Sequence, residues 1–136
     1  MRKRIPVVLL AIAAVSLGLM AQTGGQTTSP ARSQDETVSL GYIHTVASSQ
    51  RQYKKKYSHY ATTLAELVHT GSFTKRMSAT DRGAYLVEFH GKPEAYWLTL
   101  IPKQFDAEHR SFFTDETGKI RVEEDKPASV ESPLLK

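Results

Sequence analysis

The sequence predicts an α+β domain in which one long N-terminal helix packs on a four-stranded antiparallel β-sheet. Three observations predict it. Leu40, Ile43, Val46, Ala47, Gln50, Tyr53 and Tyr57 recur at steps of three and four, the period of a helix with one apolar stripe. Further on, Tyr85, Val87 and Phe89 alternate with Leu86, Glu88 and His90, and Tyr96, Leu98 and Leu100 alternate with Trp97, Thr99 and Ile101. Period two in aromatic and branched residues marks strands. The chain holds no cysteine, which excludes disulfide stapling and a lipid anchor on cysteine, so stability has to come from an apolar core.

Ahead of the domain, Arg2, Lys3 and Arg4 precede an uncharged apolar run at residues 5–20. Cations followed by such a run are the pattern of an export leader. The run is shorter than the roughly 18 to 20 residues that span a bilayer, and small residues around positions 16–18, 21 and 24 offer cleavage points. Residues 1–21 therefore read as a signal peptide, with an uncleaved inner-membrane anchor at residues 5–20 as the alternative. The rest is expected in the periplasm or outside the cell. The formal net charge is +4, and losing the three leader cations leaves an excess of about one positive charge. Composition thus gives no strong pull toward acidic partners.

Residues 22–35 are rich in Gln, Thr, Gly, Ser and Pro and read as a flexible linker. Asp35 and Glu36 open the helix, expected over residues 36–57, where acidic side chains suit the positive end of the dipole. Gly41 and several Ser and Thr lower its propensity, so packing of its stripe must hold it. Thr63 and Glu66 have the spacing of a capping box, which predicts a short helix at residues 64–69 ending before Gly71. Strands follow at 84–90 and 96–101, joined by a hairpin link at 91–94 and stopped by Pro102. A second hairpin is expected from strands at 111–114 and 119–123 around the turn 115–118, with Gly118 where a positive φ is needed. The domain spans 36–123, and residues 124–136, interrupted by Pro127 and Pro133, read as a loosely ordered tail.

This order resembles the type IV pilins and the pseudopilins of type II secretion. Ile43-His44-Thr45-Val46-Ala47 with Tyr53 and Tyr57, then residues 60–67, is similar to their helix end and following loop. Residues 110–121, with the aromatic pair Phe112-Phe113, the turn Asp115-Glu116-Thr117-Gly118 and Ile120-Arg121, resemble their last hairpin. The short basic leader, Gly cleavage site, phenylalanine and glutamate at the fifth mature position that pilins use are absent, and a polar spacer separates the apolar run from the helix. The resemblance implies a pilin-like head that does not polymerise by the pilin route.

No residue pattern points to catalysis, a cofactor or a metal. His44, His59, His69, His90 and His109 lack the spacing of zinc ligands, no G-x-S-x-G occurs, and Asp106, Glu108, Asp115 and Glu116 fall in loops where carboxylates are ordinarily solvated. The basic cluster Arg51, Lys54, Lys55 and Lys56, with Tyr53 and Tyr57 interleaved, carries two readings: an anion-binding face for DNA or a charged surface, or a solvated rim above tyrosines that pack on the sheet. Solvation is the preferred one. Leu86, Trp97 and Ile101 fall on the sheet face opposite Tyr96 and Leu98, so that face is either an interaction surface or covered by residues 71–82 or by the tail. The expectation is an exported, non-enzymatic structural or protein-interaction module of the bacterial envelope, whose partners would be envelope, secretion or pilus-type proteins; DNA or anionic-surface binding is the alternative.

Overall fold

A computed structural model describes residues 30–136. The expected leader, residues 1–21, and residues 22–29 of the linker lie outside them. Helix α1 (Gln34–Tyr57) begins two residues earlier than expected. Ser33 sets that boundary, since its Oγ accepts from the Glu36 N–H at 3.1 Å. The linker's last residues are therefore part of the fold. Ser58 ends the helix in the left-handed region at φ 67°, its N–H donating to the Lys54 carbonyl. Leu40, Ile43, Val46, Ala47, Gln50 and Tyr53 are buried as the stripe predicts, and Glu36, Ser39, Tyr42 and Ser49 join them. Tyr57 does not, at 39 % exposed. Its ring lies 4.5 Å from that of Tyr53, on the outside of the tyrosine that fills the last core position.

Two 3-10 turns follow, Ala65–Thr70 and Lys75–Ser78, the second without a sequence expectation. Thr63 accepts from the Glu66 N–H, and Glu66 accepts from the Thr62 N–H at 2.9 Å, so the anticipated box forms with its return bond shifted by one residue. Only six residues are available before Gly71 turns the chain at φ 80°, too few for a settled α-helix.

The sheet has five strands, not four: β1 (Asp81–Arg82), β2 (Tyr85–Gly91), β3 (Tyr96–Pro102), β4 (Ser111–Asp115) and β5 (Ile120–Glu123), all antiparallel and in chain order. A two-residue strand cannot show alternation. Gly83, at φ 67°, folds β1 back on β2, and Val87 N–H donates to the Thr80 carbonyl beyond it. The inner face carries Tyr85, Val87, Tyr96, Leu98, Leu100 and Phe112, and the buried side chains of α1 together with Leu64, Leu67 and Phe73 complete one core. Helix and sheet thus form two layers around it.

The tail is ordered, contrary to expectation. Val122 N–H donates to the Pro133 carbonyl and Leu135 N–H to the Ile120 carbonyl, both at 2.9 Å, so residues 133–135 pair with the outer edge of β5. Arg121 donates to the Ser132 carbonyl at 2.8 Å, and Ala128 N–H to Ser111 Oγ at 2.9 Å. Pro133 suits an edge, where the N–H it lacks is not needed by the ladder.

Two contacts hold the connecting segment between the helix and the sheet. Buried Gln50 donates through Nε2 to the Ala61 carbonyl at 3.0 Å and accepts the Ala61 N–H at 2.8 Å, giving that stretch the pairing a strand would supply. Across from it, Gly91 lies so near that a Cβ would stand 2.6 Å from the Thr62 Cα.

Candidate functional site

The two ends of α1 are chemically different. At its start, the carboxylate of Glu36 is fully buried. It accepts from Arg110 N–H (3.0 Å), Nε (3.0 Å) and Nη2 (2.9 Å) and from Arg32 N–H (2.6 Å). Arg110 Nη2 also donates to the Pro30 carbonyl at 2.6 Å, and Arg32 forks onto Glu124 at 2.7 and 2.8 Å. Burial pushes the Glu36 carboxyl upward, but the Arg110 guanidinium and the two backbone N–H groups outweigh it and hold the group below the usual range.

Beside this pair, His109 Nε2 lies 2.8 Å from Asp35 and Nδ1 2.8 Å from Asp106. A neutral imidazole has one N–H, so two carboxylate acceptors require the doubly protonated ring. The hydrogen bonds to Asp35 and then Asp106 raise its pKa accordingly. Both clusters tie the start of the helix to the β3–β4 loop.

The other end carries the predicted basic residues. Arg51, Lys54, Lys55 and Lys56 are all exposed, and among the described residues none makes an ion pair. The Lys54 ammonium stands 4.5 Å above the Tyr60 ring and that of Lys56 5.2 Å from the Tyr57 ring. Tyrosine faces that would stack on a nucleic-acid base are thus partly occupied by lysines. Tyr60 in turn packs edge-on against Tyr96 at 5.2 Å. Burial pushes the Tyr96 hydroxyl up to about 12, with Tyr60, Asp115 and Glu116 acting in the same sense and Arg51 opposing them.

The outer sheet face holds Leu86, Trp97 and Ile101 as alternation predicts, with Phe113 beside them. The tail covers Phe113 but leaves Leu86 44 % and Trp97 37 % exposed. Around Trp97 a shallow groove of about 390 Å³ is lined by Tyr96, Phe113 and Val130 and bordered by Asp115 and Glu116. His90 stacks on Trp97 at 4.7 Å.

The remaining candidates do not converge. The loop carboxylates separate, Asp106 holding His109 at one end while Asp115 accepts from Thr117 at the other. No group of His, Asp and Glu that could hold a metal ion occurs among the described residues. Nor, among them, is any helix long and apolar enough to cross a membrane. Sequence reasoning missed the Glu36–Arg110 and Asp35–His109–Asp106 clusters. The spacing of Ser33 and Glu36, that of a capping box, was the one local signal for the first. No family model, no curated protein and no solved structure matches this chain.

Proposed function

We propose that this chain is an exported, non-enzymatic protein-interaction module of the bacterial envelope, a pilin-like head whose partner docks on the outer face of the β2–β3 hairpin. The observation that carries the reading is the exposure of Leu86 and Trp97 on that face, with Ile101 half-buried beside Leu86, while the neighbouring Phe113 is covered. Exposed apolar groups gathered on one face of a small domain mark contact sites more often than isolated ones do. The succession of helix, connecting segment and antiparallel meander supports the pilin-like part, and the basic-apolar leader supports export.

The test places a photo-crosslinking residue at position 86, 97 or, as control, 44 on the exposed side of α1, in the full chain expressed in bacteria. Adducts with a foreign envelope protein at 86 and 97 but not at 44 are expected. Equal labelling at all three, or none at 86 and 97, overturns the proposal. Export is read separately from the first residue of the recovered protein: a start near Leu19 or Gln22 supports it, and an intact Met1 in a soluble cytoplasmic fraction refutes it.

Binding of DNA or an anionic surface through Arg51, Lys54, Lys55 and Lys56 is the second reading, favoured by the lack of carboxylate partners for these cations among the described residues. Asp115 and Glu116 at the same end weaken the field it needs. Affinity for duplex DNA that does not fall with salt removes it.

A further inference from the structure

The end of the molecule formed by the last turns of α1, the β2–β3 hairpin and the β4–β5 turn carries both signs of charge side by side. Tyr60 N–H donates to the Pro93 carbonyl at 2.9 Å, which sets the hairpin against the segment leaving the helix. Asp115 is the register partner of Trp97, so the acidic turn lies beside the same hairpin. The positive part is Arg51, Lys54, Lys55 and Lys56. The negative part is Asp115 and Glu116 at the Trp97 groove, with Glu94 in the hairpin; Lys92 and Lys119 stand nearby.

These charges weaken one another's field across the end of the molecule but do not pair directly. Among the described residues neither Asp115 nor Glu116 forms an ion pair, and none of the four helix cations does. Each part also carries exposed apolar surface, Tyr57 beside the lysines and Trp97 with Val130 beside the carboxylates. A surface holding both halves of a complementary pair is satisfied on both at once by its own copy turned through a two-fold rotation, where each half meets the opposite half.

We propose that this end is a two-fold self-association surface, in which the basic last turns of α1 in one copy lie over the acidic, aromatic groove at Trp97 in the other. A second copy fits better than a foreign polycation or polyanion, because either of those would leave one half of the patch facing like charge. The contact rests on several exposed charges and a small apolar centre, so it is weak and sensitive to salt. It shares Trp97 with the envelope contact proposed above, so the two compete at that residue, but neither needs the other.

The experiment measures the molar mass of the chain, as recovered from expressing cells, by sedimentation at tens of micromolar. A dimer at about 50 mM salt should dissociate at about 500 mM, with Kd rising at least tenfold. Lys54→Glu with Lys55→Glu, and separately Asp115→Lys with Glu116→Lys, should each give monomers. Mixed together, the two variants should pair as a heterodimer, since each reversed half then meets a complementary one. Circular dichroism of each variant checks that its fold is retained. A wild-type monomer at low salt overturns the proposal, as do variants that dimerise alone or a mixture that fails to pair. Leu86→Ser should abolish crosslinking to an envelope partner without changing the dimer, which separates failure of one proposal from failure of the other.

Discussion

Replacing Glu36 with alanine should be among the most damaging single changes available in the domain. The carboxylate is inaccessible and accepts four hydrogen bonds, three of them from Arg110, whose side chain is only 7 % exposed. Without it, Arg32 N–H can turn to water and Arg110 Nη2 keeps the Pro30 carbonyl, but the guanidinium is left charged and buried with no directly paired carboxylate, Glu124 acting on it only from a distance. Breaking such a pair from one side costs about 3–5 kcal/mol. For a domain of this size each kcal/mol lowers Tm by about 4–8 °C, so the loss should be on the order of 12 °C or more. Urea unfolding followed by circular dichroism measures the free energy, and thermal unfolding the shift in Tm. The double variant Glu36→Leu with Arg110→Met should be less destabilised than the sum of its singles, because it leaves no orphaned charge. The pH dependence has a fixed sign: a carboxyl held low in the folded state contributes fully above its unfolded pKa and loses that contribution as pH falls through the lower folded value. A Glu36→Ala variant that loses less than about 1 kcal/mol, or a strictly additive pair, would refute the account of this cluster.

Three further outcomes are expected. His109 has a raised pKa, so the stability it contributes is complete below about 6.5 and disappears as pH rises through its higher folded value; His109→Gln should flatten the stability curve across that window and leave it unchanged if the two carboxylates do not hold a charged ring. Gly91→Ala places a methyl against Thr62 backbone atoms at 2.6 and 2.7 Å and should cost about 1–3 kcal/mol by denaturant titration, whereas Gly41→Ala, with open space around it, should be neutral or stabilising. Gln50→Leu strands the N–H and carbonyl of Ala61 and should cost about 1–3 kcal/mol, with faster amide exchange at Ala61; unchanged exchange there would rule out the pairing described.

Periodicity revealed α1, β2 and β3, because the buried side of each writes its spacing into neighbouring residues; β4 and β5 show no alternation in burial and were legible from the turn between them. Leu40, Ile43 and Val46 on the helix, and Tyr85, Val87, Leu98 and Leu100 on the sheet, all point inward as that spacing requires. Pairings between distant positions leave no such trace. Arg110 meets Glu36 across 74 positions, and nothing adjacent to either distinguishes a buried salt bridge from a solvated charge. The two residues of β1 are too few to show a period, and residues 133–135 bind through their backbone, to which side-chain identity is nearly blind. Tyr57 fits the helical spacing yet lies outside the core, since a repeat fixes direction around the axis but not where the opposing surface stops. The basic cluster was legible as a cluster; its acidic neighbours came from a turn some 60 positions later in the chain, joined only by folding.

The clasp of Arg110 on the Pro30 carbonyl has a mechanical consequence. It fixes Pro30 at the root of the helix, and 24 helical residues, about 36 Å in length, separate that point from the lysine-bearing tip. A force applied at Pro30 therefore acts on the root of the domain, with the helix as a lever between it and the far tip.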